Sequence, residues 1–292
     1  MSYLAAGDVW AETGPTTLLV HGAGMSARSW TNQLWGLGQV LRVLAIDLPG
    51  HGESDPIPEA TVEGYADSAR ALLDALDTGP VFVAGHSLGG AVAQALAARH
   101  PEVVEGLLLL STCAKLPGGD GSLGSLLWYL PGPLRKVFFF AMAKKILFAP
   151  GAPRQVVLLG MEEIRTCRPE TILKDVAAAR AMDLEEMVRG LRMPTLILCG
   201  SQDRLTPPAL SERLNELIQG SRLQIVEGAG HMLPLEAAAR VNQALLDFVG
   251  SVAQSQLGRL PWGGGLAQGS ILRRLFAKVK VLLGWNEGRG DL

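Results

Sequence analysis
The chain has 292 residues, 48% of them hydrophobic and 18% charged, with a formal net charge of −2 at neutral pH. This is the composition of an ordinary soluble globular protein, which excludes overall disorder, and so small a charge excludes the long-range field that gathers nucleic acid. The length suits one large α/β domain with an insertion or two modest domains, and composition does not choose between them.

Cys113, Cys167 and Cys199 form no CxxC pair and are odd in number, so neither a disulfide framework nor a zinc site is expected. They read as small buried hydrophobes in a reducing compartment. No apolar run approaches the roughly 18 residues of a membrane-spanning helix, and the first residues lack the basic-then-apolar order of a signal peptide. The expected location is cytoplasmic.

In chain order, Ser2 to Glu12, broken by Gly7 and Asp8, reads as an antiparallel hairpin at a sheet edge. Short β-type runs follow at Thr16–Val20, Val43–Ile46, Val81–Ala84, Leu107–Leu110 and Thr195–Cys199, with a weaker one at Leu223–Val226. Nearly continuous apolar runs of this kind suit parallel strands covered on both faces. Helical patterns alternate with them at Gly64–Leu76, Ala91–Ala98, Pro208–Ile218 and Leu235–Phe248. The alternation predicts a doubly wound, mostly parallel α/β sheet, whose ligands lie at the carboxyl ends of the strands.

One region interrupts the pattern. A Gly/Pro-rich linker, KLPGGDGSLGS, leads into helical segments such as LRKVFFFAMAKKILF and PETILKDVAAARAMD without a convincing strand. The expected organisation is therefore a core over residues 1–114, a helical cap over 115–189, and the rest of the core over 190–250. Residues 251–292 form a linker and a basic amphipathic helix at 270–283, in which Ile271, Leu272, Leu275, Phe276, Val279, Leu282 and Leu283 share a face opposite Arg273, Arg274, Lys278 and Lys280. That helix suggests a dimer contact or a peripheral contact with a membrane surface.

The chemistry is concentrated in GHSLGG. Gly85, Ser87 and Gly89 make a G-x-S-x-G pattern after a strand and before a helix, the context in which the motif has meaning. So sharp a turn forces the serine toward positive φ, at a cost of about 1–3 kcal/mol, and tolerates only very small neighbours. A serine hydroxyl needs a base within hydrogen-bond reach and a third group to orient that base. Of five histidines, His21, His51 and His86 belong to glycine-bearing loops and His100 precedes Pro101, leaving His231 in a loop after a late strand. Asp203 follows the strand Thr195–Cys199, whereas Ser111, Thr112 and Cys113 after Leu107–Leu110 supply no carboxylate.

These motifs together resemble the α/β-hydrolases over residues 1 to about 250. VHGAG around His21–Gly24 is similar to that family's oxyanion loop and DLPGHGES at Asp47–Ser54 to its next signature loop; GHSLGG resembles the nucleophile elbow, GSQDRLTPP the acid loop and GAGHMLPLE the histidine loop. The resemblance implies Ser87 as nucleophile, His231 as general base and then acid, Asp203 as orienting carboxylate, and the backbone N–H groups of Ala23 and Leu88 as oxyanion hole. Within the family the chain is most similar to capped carboxylesterases and lipases, which implies a small-molecule ester substrate and no metal or cofactor.

Asp47 and His51 read as turn-shaping residues of the cleft wall, His86 as a packing or hydrogen-bonding neighbour, and His21 as important for its backbone rather than its ring. Trp128, Tyr129, Phe138 and Met142 are candidate acyl-pocket residues, with the cap's own interior as the alternative. The same machinery serves carbon–carbon bond hydrolases, enol-lactonases and cofactor-free perhydrolases, and some proteins keep the fold as receptors without turnover.

Overall fold
The computed structural model describes residues 1–7, 15–118 and 132–257. Among them, seven strands form one sheet in the order β1-β3-β2-β4-β5-β6-β7. The strands are β1 (Tyr3–Ala6), β2 (Thr16–Val20), β3 (Arg42–Ile46), β4 (Val81–His86), β5 (Val104–Leu110), β6 (Thr195–Gly200) and β7 (Arg222–Val226). All pair in parallel except β1, which runs antiparallel to β3 at the edge. This edge strand lies in the segment expected to form a hairpin, and its partner is β3; the rest of that segment, from Asp8, lies outside the described residues.

The central strands are buried along their whole length because both sheet faces are covered. Leu18 and Val20 of β2 point into one apolar layer with Leu44, Ile46, Val81 and Val83, while Leu19 points into the other with Val43, Ala45, Phe82 and Ala84. Alternate side chains leave opposite faces of a strand, so a two-sided core demands apolar residues at every position. On the first face lie α2 (Val62–Ala75) and α3 (Leu88–Arg99). Thr61 caps α2, its hydroxyl accepting from the Gly64 N–H at 3.0 Å. On the second face lies α1 (Thr31–Leu37), which the sequence reading passed over although Trp30, Leu34 and Leu37 repeat at helical spacing. Its last partner is the final described helix.

Among the described residues, four helices stand between β5 and β6 in the sequence: α4 (Gly132–Leu147), α5 (Arg154–Thr166), α6 (Pro169–Ala181) and α7 (Glu185–Arg189). Leu184, Val188 and Leu191 around α7 join the same apolar layer as α3 and α8 (Pro208–Leu217), so this end of the predicted insertion packs with the core. A short α9 (Leu233–Glu236) leads into α10 (Ala238–Leu257), which runs past the predicted core limit at 250. Phe248 of α10 meets Phe82 edge to face, ring centroids 6.0 Å apart, over Gly106 of β5, where a side chain would strike both rings. No helix among the described residues is long and apolar enough to cross a membrane. The predicted helix at 270–283 lies outside the described residues.

Strand order fixes where a ligand can bind. From β2 the chain moves outward to β3 and then returns to β4 on the other side of β2, so the loops after β2 and β4 part in opposite directions and leave a crevice between them. The parallel register pairs Val20 with Gly85, which sets His21–Gly24 beside His86–Ser87. Their backbones approach closely because of glycine. A Cβ on Gly89 would collide with the carbonyl oxygens of Val20 and His21, and one on Gly85 with the carbonyl of Gly89.

Gly89→Ala is therefore expected to cost about 2–4 kcal/mol, since backbone cannot step aside as a side chain can. Urea denaturation checks this; an unchanged midpoint would mean that the approach of α3 to β2 is loose.

Candidate active site
Ser87 ends β4 at φ 53° and ψ −120°, a left-handed region that a residue with a Cβ rarely occupies. Its neighbours hold it there. The Ser87 N–H donates to the Leu110 carbonyl at 3.0 Å, while its own carbonyl accepts the Thr112 hydroxyl at 2.7 Å and the Gly90 N–H at 2.9 Å. The hydroxyl is thereby turned out of the sheet into the crevice.

His231, in the loop after β7, receives that hydroxyl on Nε2 at 3.0 Å. Its Nδ1 lies 3.0 Å from Asp203 Oδ2 and 3.2 Å from Oδ1. The three residues singled out in sequence thus meet within hydrogen-bond distance, 144 and 28 positions apart along the chain. The His231 ring is held in place. It is 2% exposed, and its backbone carbonyl accepts the His86 Nε2–H at 2.8 Å. Glu236 ties down the same loop by accepting the N–H groups of Gly230 and Ala149.

Asp203 does two jobs. Oδ1 accepts the N–H groups of Leu205 at 2.9 Å and Thr206 at 2.8 Å, which shapes the loop, and both oxygens face His231. Thr206, which the sequence reading did not single out, donates its hydroxyl to Asp203 Oδ2 at 2.9 Å and lies 3.1 Å from His231 Nδ1. Burial works to raise the Asp203 carboxyl, but the His231 imidazole and the Thr206 donors outweigh it and hold the group below the usual carboxylate value.

A second buried carboxylate, Asp175 of α6, holds the loop after β2. It accepts the Gly24 N–H at 2.9 Å and the His51 Nε2–H at 2.8 Å on Oδ2, and the Tyr65 hydroxyl at 2.9 Å on Oδ1. Burial and the Asp175 charge push the Tyr65 hydroxyl's pKa up, so it remains a donor. His51 therefore does more than shape a turn: it links the DLPGHGES loop to α6. Asp47 accepts from the Ala27 N–H, the Glu53 N–H and the Ser2 hydroxyl, as a turn-holding residue does. The His21 ring is used as well as its backbone, Nε2 accepting the Leu48 N–H at 3.0 Å and Nδ1–H donating to the Gly22 carbonyl at 2.8 Å.

Ser87 opens into a chamber of about 220 Å³ lined by Ala23, Leu88, Thr112, Cys113, Leu116, Leu205 and Thr206, with Val176, Ala179, Arg180 and Met182 from α6 and its end. The N–H of Leu88 opens α3, where first-turn amides have no acceptor in their own helix. Burial pushes the Cys113 thiol up to about 12, so it contributes an apolar surface. Of the acyl-pocket candidates, Trp128 and Tyr129 lie outside the described residues, as does the side chain of Phe138. Met142 is half-buried on α4 and does not line this chamber. Among the described residues, the inserted wall comes from DVAAARAM, whose residues are mostly small. Among the described residues, no group of His, Cys, Asp and Glu has the arrangement of a metal site.

A family model described as "Alpha/beta hydrolase family" matches residues 17–244. The pimeloyl-[acyl-carrier protein] methyl ester esterase of a serogroup A strain of Neisseria meningitidis is 29% identical over 249 residues, covering 82% of this chain and 78% of that protein. Among solved structures, a thermophilic esterase from Thermogutta terrifontis aligns with a TM-score of 0.75 and 28% identity over 86% of this chain and 93% of its own. A hydrolase from Pseudomonas aeruginosa aligns with a TM-score of 0.74 and 28% identity over 85% and 93%.

The buried imidazoles set the response to acid. Burial, with His51 nearby, lowers His21 to about 4, and burial, with His231 nearby, lowers His86 to about 3. Between those values and the ordinary 6.5 the unfolded chain binds protons that the folded one refuses, so stability falls as pH drops through this window. Above pH 6.5 neither ring contributes. Asp203 acts in the same direction lower down, its stabilisation being lost as pH falls through its depressed value. Unfolding free energy should be level above about pH 7 and fall by several kcal/mol by about pH 4. In His21→Gln the slope across this window should be shallower by close to one proton; an unchanged slope would show that His21 titrates normally in the fold.

Proposed function
The chain belongs to the alpha/beta hydrolase family, and we propose that it cleaves carboxylic esters of apolar acyl groups through Ser87, His231 and Asp203. The observation that carries this reading is the continuous relay from Ser87 Oγ to His231 Nε2 at 3.0 Å and from Nδ1 to Asp203 at 3.0 Å, opening into an apolar chamber. The esterases among its relatives support the same class of reaction.

The geometry suits a two-step acyl transfer. As the ester carbonyl carbon meets Ser87 Oγ, His231 Nε2 takes the hydroxyl proton and Asp203 stabilises the resulting imidazolium. The carbonyl oxygen becomes an oxyanion against the backbone N–H groups of Leu88 and Ala23, each such donor contributing on the order of 3 kcal/mol to lowering the barrier. Collapse breaks the carbonyl–alkoxy bond, and the proton on His231 goes to the departing alcohol. Water then enters, gives its proton to His231 Nε2, and attacks the acyl-Ser87 carbonyl; the second collapse returns that proton to Ser87 Oγ and releases the acid.

His86 favours this cycle by staying neutral. Its ring centroid is 5.0 Å from that of His231, and a charged neighbour there would oppose the imidazolium.

With p-nitrophenyl esters of graded acyl length, activity is expected to peak at short chains, since the chamber is small. Ser87→Ala should lose about 10⁴-fold or more in kcat, and a fluorophosphonate should label the wild type alone. Absence of both turnover and labelling would overturn the hydrolase reading; labelling without turnover of any ester would favour a relative that acts on another bond or a receptor.

Thr206→Val keeps the shape of the side chain but removes the hydroxyl beside the Asp203–His231 contact. A fall of roughly tenfold in kcat, with KM little changed, is expected from steady-state kinetics. An equal loss in KM would point instead to disturbance of the chamber wall.

A further inference from the structure
The chamber beside Ser87 is apolar on nearly every side, yet one charged residue lines it: Arg180, in the last turn of α6. Arg180 is an exposed residue, and the neighbouring acids are each engaged elsewhere. Asp183 pairs with Lys115 at 2.5 Å, Glu185 with Arg213 at 3.1 Å and Glu186 with Arg189 at 3.3 Å. Of the helical positions three and four residues from Arg180, only 183 carries an acid. Among the described residues no carboxylate lies within 4.0 Å of the Arg180 guanidinium.

The helix that carries it has a fixed seat. Asp175, fully buried, takes hydrogen bonds from Gly24, His51 and Tyr65, while Thr171 and Arg168 both donate to the Gly50 carbonyl at 3.1 and 2.8 Å. With the Asp175 face of α6 locked against the core loops, Val176, Ala179 and Arg180 line the chamber that contains Ser87, Ala23 and Leu88. An ester held with its carbonyl at Ser87 therefore shares one chamber with the Arg180 side chain.

We propose that Arg180 is an anion subsite that binds a carboxylate carried by the substrate, so that the preferred esters are acidic ones such as half-esters of short dicarboxylic acids. This rests on the hydrolase reading above and narrows its acyl group to a short apolar chain that ends in a carboxylate. The guanidinium is a planar fork of donors that matches a carboxylate in two parallel hydrogen bonds. The apolar walls sharpen the choice, because an anion entering them without a partner loses hydration and gains nothing. The neutral diester of the same acid needs no such partner. An exposed arginine closing a helix also has a purely local use against the helix dipole, and that use gives no reason to discriminate between substrates.

The test compares kcat/KM for monoethyl and diethyl succinate, glutarate and adipate at pH 7.5 in the wild type, Arg180→Gln and Arg180→Lys. The wild type should prefer the half-ester over its diester by about tenfold at the best chain length, mainly through KM. In Arg180→Gln that ratio should fall about tenfold, and Arg180→Lys should recover part of it. Raising the salt to about 0.5 M should compress the wild-type ratio, because the guanidinium is open to solvent. A wild type that prefers the diester at every length, or a ratio unaltered in Arg180→Gln, overturns the anion subsite while diester hydrolysis and fluorophosphonate labelling leave the hydrolase reading standing. Failure both to hydrolyse any ester and to take the label brings down both readings.

Discussion
The close approach of the β4–α3 turn to β2 is the constraint on which the rest of the site depends. Two backbones run nearly in contact at the point where the sheet's connections diverge; glycine at 89 allows that approach, and glycine at 85 lets the turn close on itself. The approach has two consequences at once. It twists Ser87 into a conformation with φ of 53°, which aims the hydroxyl away from the sheet, and it brings the loop after β2 alongside the same residue. Ser87 and the amides of the loop after β2 are therefore positioned by one packing event rather than by separate loops. Strain of about 1–3 kcal/mol at such a residue persists only where the surroundings over-determine it. Here they do so through the Leu110, Thr112 and Gly90 hydrogen bonds, two of them reaching strand β5 or the loop after it.

Asp175 extends the same logic to the inserted helices. A buried carboxylate is tolerated only when its oxygens are well supplied with donors, and three groups from three separate parts of the core supply them. Because one of the three is the Gly24 N–H, the position of α6 and the shape of the loop after β2 are set together. The wall of the chamber and the amides beside Ser87 are in this way parts of a single hydrogen-bonded unit.

Much of this was legible in the sequence, for identifiable reasons. Strands buried on both faces are written as uninterrupted apolar runs, and β2, β3, β4, β5 and β6 were visible as such, while β7, exposed at the edge, was faint. Glycines spaced around Ser87 marked the turn because close backbone contact leaves no alternative residue. What escaped notice depends on long-range contact. The Asp175 carboxylate meets partners 110 to 151 positions away, Thr206 looks like an ordinary loop residue, and α1 is too short for its pattern to stand out. Among the described residues, the chamber wall contributed by α6 is built largely from small residues, which leave the space that a chamber needs but carry no distinctive pattern in the sequence.

Four imidazoles gather around this crevice, and their environments assign them different tasks. His21 is hydrogen-bonded at both nitrogens to backbone, accepting at one and donating at the other, an arrangement only the neutral ring satisfies. His86 is likewise committed, with its Nε2–H on a carbonyl, and burial keeps it uncharged. His51 is spent on Asp175. His231 alone has a carboxylate on one nitrogen and a hydroxyl that can yield a proton on the other, so it can gain charge without leaving a buried donor or acceptor unmatched. The neutrality of His86 completes the arrangement. Two adjacent imidazoles cannot both be charged cheaply in so dry a site, and burying one of them without a carboxylate partner reserves the positive charge for the other.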